Sequence, residues 1–376
     1  MEDDDIPNHY DDGNRAFLQA FLARGTLTFA QAQPILAAIF TAHDKIEYQH
    51  RQESRRNRVS RREDDEESDN EEPEVTQPAQ VTREDFNSYV SAASEKLSPF
   101  DMEIRGITHQ GSGERIFCLV NTTSDPLTRL ATLRTGEEIV FVRRVIDAMF
   151  DKYNTPRMEL MCLDFMQANK LRSAPREEET ESPENGEGGD GEEGQQTQMV
   201  GGLKGLKSSE VEHVMQGLVD EGWVERSRAG FYSLAPRALA ELRSWLVDAY
   251  NEPPDPDADE EDNAGQWQRI KFCEACREIV TSGQRCAERD CNVRLHDHCA
   301  DTFWRMRREN TGQREKKCSR CEKEWTGRHF VGERAVTETE AYQRGRRRSG
   351  RPSGGGRSSL AERIVEEDED EDEEEE

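Results

Sequence analysis

Eight cysteine and histidine residues between positions 273 and 321 constrain this chain more than any other feature. Cys273, Cys276, Cys286, Cys291, His296, Cys299, Cys318 and Cys321 are separated by 2, 9, 4, 4, 2, 18 and 2 residues. Zinc takes four such donors in a tetrahedron, and two donors with two residues between them reach one ion from a single turn. Eight ligands therefore call for two zinc ions. A cross-braced assignment gives Cys273, Cys276, His296 and Cys299 to the first, and Cys286, Cys291, Cys318 and Cys321 to the second. Each ion then ties together distant parts of a stretch too poor in apolar side chains to fold alone. His298 offers a second imidazole, but the two-residue spacing to Cys299 selects His296. Seven of the nine cysteines lie in this cluster, which favours metal over disulfides in a reducing compartment. Cys118 and Cys162 are expected as small core residues. His329, past the last ligand, is expected in solvent.

Much of the remaining sequence cannot be core, because 35% of the chain is charged and only 33% is hydrophobic. The net charge of −28 is unevenly spread: residues 63 to 74, 177 to 193, 252 to 262 and 366 to 376 hold 36 of the 79 acidic residues and no Lys or Arg. Runs of this kind repel themselves and lack the apolar surface that offsets ordering entropy, so they read as disordered linkers and a tail. Arg51 to Arg62 and Arg344 to Arg357 form two basic clusters that suit import signals, nucleic-acid contacts or solvated linkers. The start, MEDDDIPNHY, has neither the basic end nor the apolar stretch of a secretory signal, and nowhere do 18 apolar residues run together. A soluble intracellular protein with no membrane partner is expected.

The apolar patterning outside the cluster suggests two winged-helix units. Ala16, Phe17, Ala20 and Phe21 have helical spacing up to Gly25, and Thr28 with Gln31 forms a capping box for a second helix. Phe86, Tyr89, Val90, Ala93 and Leu97 make a third helical stripe. Two strands then flank a Gly-Ser-Gly turn, and Ile139 to Met149 return to helix, completing a first unit at 9–155 with a disordered insertion near 50–82. The second, 156–250, begins with a helix over 156–172 and contains an insertion near 173–199. Ser209 and Glu212 cap a helix ending at Gly222, Arg228-Ala229-Gly230 form a wing, and Ala238, Leu239, Leu242 and Leu246 line the closing helix. A recognition helix for DNA should be basic, yet 209–222 carries Glu210, Glu212, Asp220 and Glu221. Protein docking is favoured, with weak phosphate contact through Arg226 and Arg228 left open. A cross-braced domain at 268–332 and a disordered tail at 333–376 complete the expected α+β multidomain architecture.

In this order the pieces resemble the non-SMC element one family, the RING-like subunit of the Smc-five/Smc-six complex. The likeness rests on His9 to Phe40, on EIRGITHQGSGERIFCLVNTTSD with Asn121, Thr122 and Asp125, on Glu138-Ile139, on FYSLAPRALAELRSWL, and on the order of four Cys, one His and three Cys. The resemblance implies nuclear location, a role in recombinational DNA repair, a MAGE-type and a kleisin partner, and ubiquitin ligase activity that depends on the MAGE partner.

A RING ligase has no nucleophile of its own; it orients the thioester of a ubiquitin-conjugating enzyme for attack by a substrate lysine. Ala275 and Ile279 in one loop, with Trp304 and Trp325 near the other, are the candidate docking shelf; Phe303 fits packing equally well. Ser319 and Glu322 stand where active RINGs usually carry Pro and a cation. Two other readings stay open: a non-catalytic scaffold of the same complex, and a PHD-type chromatin reader. A PHD module usually places Trp where this chain has Lys316.

Overall fold

The computed structural model describes residues 10–58, 73–122, 134–173, 205–251, 253, 267–312 and 314–348. Its contacts divide the chain into two compact units, Met1–Ser124 and Asp125–Glu376.

The first unit starts with α1 (Asp12–Arg24), opened by the Asp11 carboxylate accepting from the Asn14 N–H. It ends at Gly25, whose φ of 69° only glycine adopts without cost. Strand β1 (Thr26–Thr28) leads into α2 (Phe29–Arg58). The Thr28–Gln31 box forms: the Thr28 N–H donates to Gln31 Oε1 at 3.0 Å, and the Gln31 N–H to Thr28 Oγ1 at 3.3 Å. Helix α3 (Arg83–Leu97) follows, then strands β2 (Met102–Thr108) and β3 (Arg115–Asn121). All three strands form one antiparallel sheet with β3 in the centre. Phe17, Phe21, Leu36, Phe86 and Leu119 are its buried heart. Phe86 meets Phe17 and Phe117 edge-on, with ring centroids 6.1 and 4.8 Å apart, an arrangement that adds directionality to apolar burial.

The expected disordered insertion at 50–82 falls in part on residues that have defined structure. Helix α2 continues through its arginines to Arg58, and residues 73 to 82 are again among the described residues. Val81 is buried, and the Thr76 N–H donates to Thr41 Oγ1 at 3.0 Å. Residues 59–72, with most of the first acidic run, lie outside the described residues, as do 174–204, 254–266 and 349–376.

In the second unit, α4 (Gly136–Asp147) is capped by Thr135 and runs on as a wider turn, Ala148–Lys152. The sequence places this helix before a boundary at 155, but the contacts place it after the division. The reason is its apolar stripe: Val142, Val145, Ile146 and Met149 share an enclosed interior with Leu218, Trp223, Leu234 and Leu242. The expected helix over 156–172 is mostly extended chain. Leu163 bridges Tyr232 of the hairpin, Asn154 bridges Glu159, and only α5 (Phe165–Lys170) is helical, starting at the Asp164 cap.

Helix α6 (Ser208–Asp220) begins one residue before the predicted box, with the Lys207 N–H donating to the Glu210 carboxylate at 2.7 Å. Strands β4 (Val224–Arg226) and β5 (Tyr232–Leu234) pair around Gly230. Helices α7 (Pro236–Glu241) and α8 (Arg243–Tyr250) bury Ala238, Leu239, Leu242 and Leu246.

The Cys-rich stretch belongs to this second unit. It contains β6 (Gly283–Arg285), β7 (Arg294–Leu295), α9 (Asp297–Thr311) and β8 (Phe330–Val331), with β6 central in a three-stranded sheet. Residues 333–348, read from sequence as disordered tail, instead form α10 (Arg334–Thr337) and α11 (Glu340–Arg348). Val336 is fully buried, which anchors α10. Gly332 makes this corner possible: its φ is 80°, and a Cβ there would sit 2.4 Å from the Thr281 carbonyl oxygen. Gly332→Ala is therefore expected to lower unfolding free energy by at least about 2 kcal/mol, read in a urea titration. No helix among the described residues is long and apolar enough to cross a membrane.

Candidate metal centre

Both Cys-x-x-Cys segments fold into the same local structure. In the first, the Cys273 N–H donates to the Glu278 carbonyl, Phe272 bridges Ile279, and Arg277 has φ 61°. In the second, the Cys318 N–H donates to the Lys323 carbonyl, Lys317 bridges Glu324, and Glu322 has φ 58°. Each is a tight knuckle whose residue after the second cysteine is left-handed, which swings both sulfurs to one side. Non-glycine residues resist that conformation, so each knuckle holds a strain of order 1 kcal/mol.

The knuckles are completed from elsewhere in the fold. His296 and Cys299 come from the cap and first turn of α9, whose N-terminal dipole favours thiolate. Cys286 follows β6, and Cys291 closes the four-residue loop after it. The result is two groups, Cys273–Cys276–His296–Cys299 and Cys286–Cys291–Cys318–Cys321, with donor atoms within 4.8 Å of one another. Cys286 and Cys321 sulfurs are 3.3 Å apart, Cys291 and Cys318 3.6 Å, and Cys276 Sγ lies 3.3 Å from His296 Nδ1. A tetrahedron with Zn–S bonds of about 2.3 Å has edges of about 3.8 Å, so the donors already stand near the required spacing.

The electrostatics agree with a cation at each centre. Burial opposes ionisation of Cys273, but hydrogen bonds from His296 and from main-chain N–H groups outweigh it and bring the thiol down to about 6. In the second group, the Cys291 hydrogen bond and N–H groups after Cys318 bring Cys318 to about 4, while burial pushes Cys286 up to about 12. Crowding opposes ionisation of Cys286 and Cys291 beside Cys318, and a divalent ion lifts that restriction. His296 Nε2 lies 3.1 Å from the Ile279 carbonyl, an N–H donation that leaves Nδ1 facing the sulfurs. The ring of His298 stacks on that of His296 at 5.0 Å but is exposed and stands outside the group. Cys118 and Cys162 are buried and belong to neither group.

The family model "Nse1 non-SMC component of SMC5-6 complex" matches residues 14–242, well over half of the sequence, and a RING-like domain model matches 273–321. The chain belongs to the Nse1 family. Similar curated proteins include the non-structural maintenance of chromosomes element 1 homolog of Bos taurus, 22% identical over 73% of this chain and 80% of that one. Its counterpart in Schizosaccharomyces pombe is 24% identical over 65% of this chain and 78% of its own. Among solved structures, a chain of an Nse1-Nse3-Nse4 complex has the same fold, with a TM-score of 0.52 at 17% identity over 84% of this chain and 97% of that chain.

In this Nse1-family chain the RING-like region is fastened by a buried charge cluster that the sequence reading missed. Glu159, on the extended segment before α5, is 1% exposed and faces three cations. Arg294, fully buried, binds it through Nε at 2.7 Å and through Nη2; Lys271 Nζ lies at 3.2 Å and Arg285 at 3.7 Å. Arg294 Nη1 also donates to the carbonyls of Cys291 and Val293 at 2.6 and 2.7 Å, and Gly332 N–H donates to the Glu159 carbonyl at 2.7 Å. Burial opposes the Glu159 charge, but Arg294 leads the three cations in holding the carboxyl down at about 2. One carboxylate cannot balance three cations. Burial and the two guanidiniums therefore bring Lys271, the weakest base, to about 7 despite Glu159. The available signals were a lone Glu within the apolar run Met158 to Leu163 and an Arg between Val293 and Leu295.

Of the proposed docking residues, only Ala275 is exposed. Ile279, Trp304 and Trp325 are 3%, 8% and 5% exposed, and Phe303 is half-buried. Trp304 and Trp325 meet at 5.6 Å, and Trp325 Nε1 donates to Gln284 Oε1 at 3.0 Å. Trp304 belongs to α9 and Trp325 follows the second knuckle, whereas Ala275 lies within the first knuckle. His329 is exposed, as expected, and lines a cleft with Arg157, Arg285 and Arg328.

Proposed function

We propose that this chain is the RING-type ubiquitin ligase subunit of the SMC5-6 complex, acting in the nucleus in DNA repair by homologous recombination. The observation that carries this reading is the pair of interleaved four-donor groups at the end of an Nse1-family chain. In the reading, residues 273, 276, 296 and 299 hold one zinc ion and 286, 291, 318 and 321 the other. The ions supply structure: each fixes a knuckle against α9 or β6, so that the surface between them is preorganised for a conjugating enzyme. The protein contributes no nucleophile; it holds the thioester in line for a substrate lysine. Ala275 contacts the conjugating enzyme directly, and Ile279, Trp304 and Trp325 support the loops from beneath.

The two helix and hairpin arrays are winged-helix modules in this proposal, and they dock the MAGE-type and kleisin subunits, the Nse3 and Nse4 of the solved complex. Support comes from α6 and its C-cap, where Glu210, Glu212, Asp220 and Glu221 are all exposed, a surface that repels phosphate and suits protein.

A second reading, a non-catalytic scaffold of the same complex, is favoured by the burial of Ile279, Trp304 and Trp325 and by Glu322 in place of a cation. Autoubiquitination of the full chain with its MAGE partner and a panel of conjugating enzymes separates the two: product supports the ligase, and its absence throughout supports the scaffold. Within the ligase reading, Ala275→Arg is expected to abolish product while leaving zinc content and melting temperature unchanged.

A further inference from the structure

A cleft of about 450 Å³ opens beside the second metal group, and its lining is strongly basic. Arg157, Arg285, Arg289, Arg328 and Arg334 line it together with His329, against a single carboxylate, Glu338. That carboxylate lies 4.0 Å from Arg334, which also pairs with Asp297 at 2.7 Å. Arg289 and Arg328 are exposed at the rim and have no ion pair among the described residues. The arrangement is built from the inside. Arg285, 6% exposed, donates from Nη1 to the Arg157 carbonyl at 3.1 Å and from Nη2 to the Arg289 carbonyl at 3.5 Å. It thereby pins the extended segment to the loop between Cys286 and Cys291 and holds two rim arginines in place. Its own counter-ion, Glu159, is shared with Arg294 and Lys271.

Arg289 and Arg328 bring two further guanidiniums to this concavity without carboxylates of their own among the described residues, and such groups repel one another unless an anion sits among them. The planar fork of arginine fits tetrahedral oxyanions, and phosphate dianions above all, through paired N–H donors. A concave cleft suits a terminal phosphate with three free oxygens better than the diester of a continuous nucleic-acid backbone, which presents two and needs an open groove. We infer that this cleft is a binding site for a phosphate monoester dianion, separate from the metal groups and from Ala275. Arg289 and Arg328 grip it from the rim, and Arg285 sets its floor. Two sources carry this chemistry, free phosphate and a phosphorylated side chain of a protein. Occupancy would bridge the loop of the second metal group to the start of β8.

The test uses the full zinc-loaded chain and three probes: inorganic phosphate followed by ³¹P line broadening, a fluorescent phosphoserine peptide with its unphosphorylated control, and a duplex oligonucleotide, the last two by anisotropy. Saturable phosphate binding, or phosphopeptide binding with none to the control, is expected. Phosphopeptide affinity well above that of phosphate assigns a protein source, and equal affinity assigns the free ion. The double variant Arg289→Glu/Arg328→Glu, changed only at exposed rim positions, should weaken binding by roughly tenfold or more with zinc content and melting unchanged. The inference is overturned by no binding of either phosphate probe, by binding that the double variant leaves intact, or by the duplex alone binding in a variant-sensitive way.

Discussion

Replacing Cys318 with serine is expected to unfold the whole RING-like region. The sulfur belongs to one donor group, but its knuckle also closes the floor of the module through Trp325, which meets Trp304 of α9. Structural zinc contributes on the order of 10 kcal/mol to the folding of such modules, several times what so small an apolar interior supplies. The readouts are zinc per chain, expected to fall from two, and the near-ultraviolet circular dichroism of the Trp304–Trp325 pair, expected to collapse. A strong chelator should do the same to the parent protein. The first unit has its own aromatic core and is expected to survive as a protease-resistant fragment. A tryptophan signal unchanged after complete zinc removal would show that the ions are not what holds the module together.

Glu159→Gln is expected to cost about 3–5 kcal/mol, because it leaves Arg294, Arg285 and Lys271 buried without a counter-charge. The carboxyl titrates at about 2 rather than 4.5, so its folded-state pKa is depressed. Its contribution is present in full above pH 4.5 and is lost as pH falls toward 2. The acid limb of the parent's stability profile should therefore be steeper than the variant's. Lys271 is the poorest fit of the three cations, and Glu159→Gln/Lys271→Met should recover part of the loss. A single variant that melts within a degree of the parent would remove the cluster from any account of stability.

The donor groups were legible because metal geometry is written in local spacing. Cys273 with Cys276, His296 with Cys299 and Cys318 with Cys321 announce themselves over four residues each, and interleaving follows from pairing them. The helices with clean stripes, such as Phe86 to Leu97, were legible for the same reason. What escaped was long-range. Met158, Leu160, Met161 and Leu163 satisfy a helical or an extended period equally well, and only the bridge from Leu163 to Tyr232 decides between them. The Glu159 cluster joins residues over a hundred positions apart, and no spacing rule connects a carboxylate at 159 to cations at 271, 285 and 294. The burial of Ile279, Trp304 and Trp325 also escaped, since residue type alone does not separate an exposed Trp from a buried one.

The segment from Asn154 to Leu163 is gripped at two points of its course. Leu163 exchanges main-chain hydrogen bonds with Tyr232 of the hairpin, and Glu159 is clasped by Arg294 of the Cys-rich part. A rod clamped in this way does not swivel. Whatever grips the hairpin therefore also sets the bearing of the RING-like face.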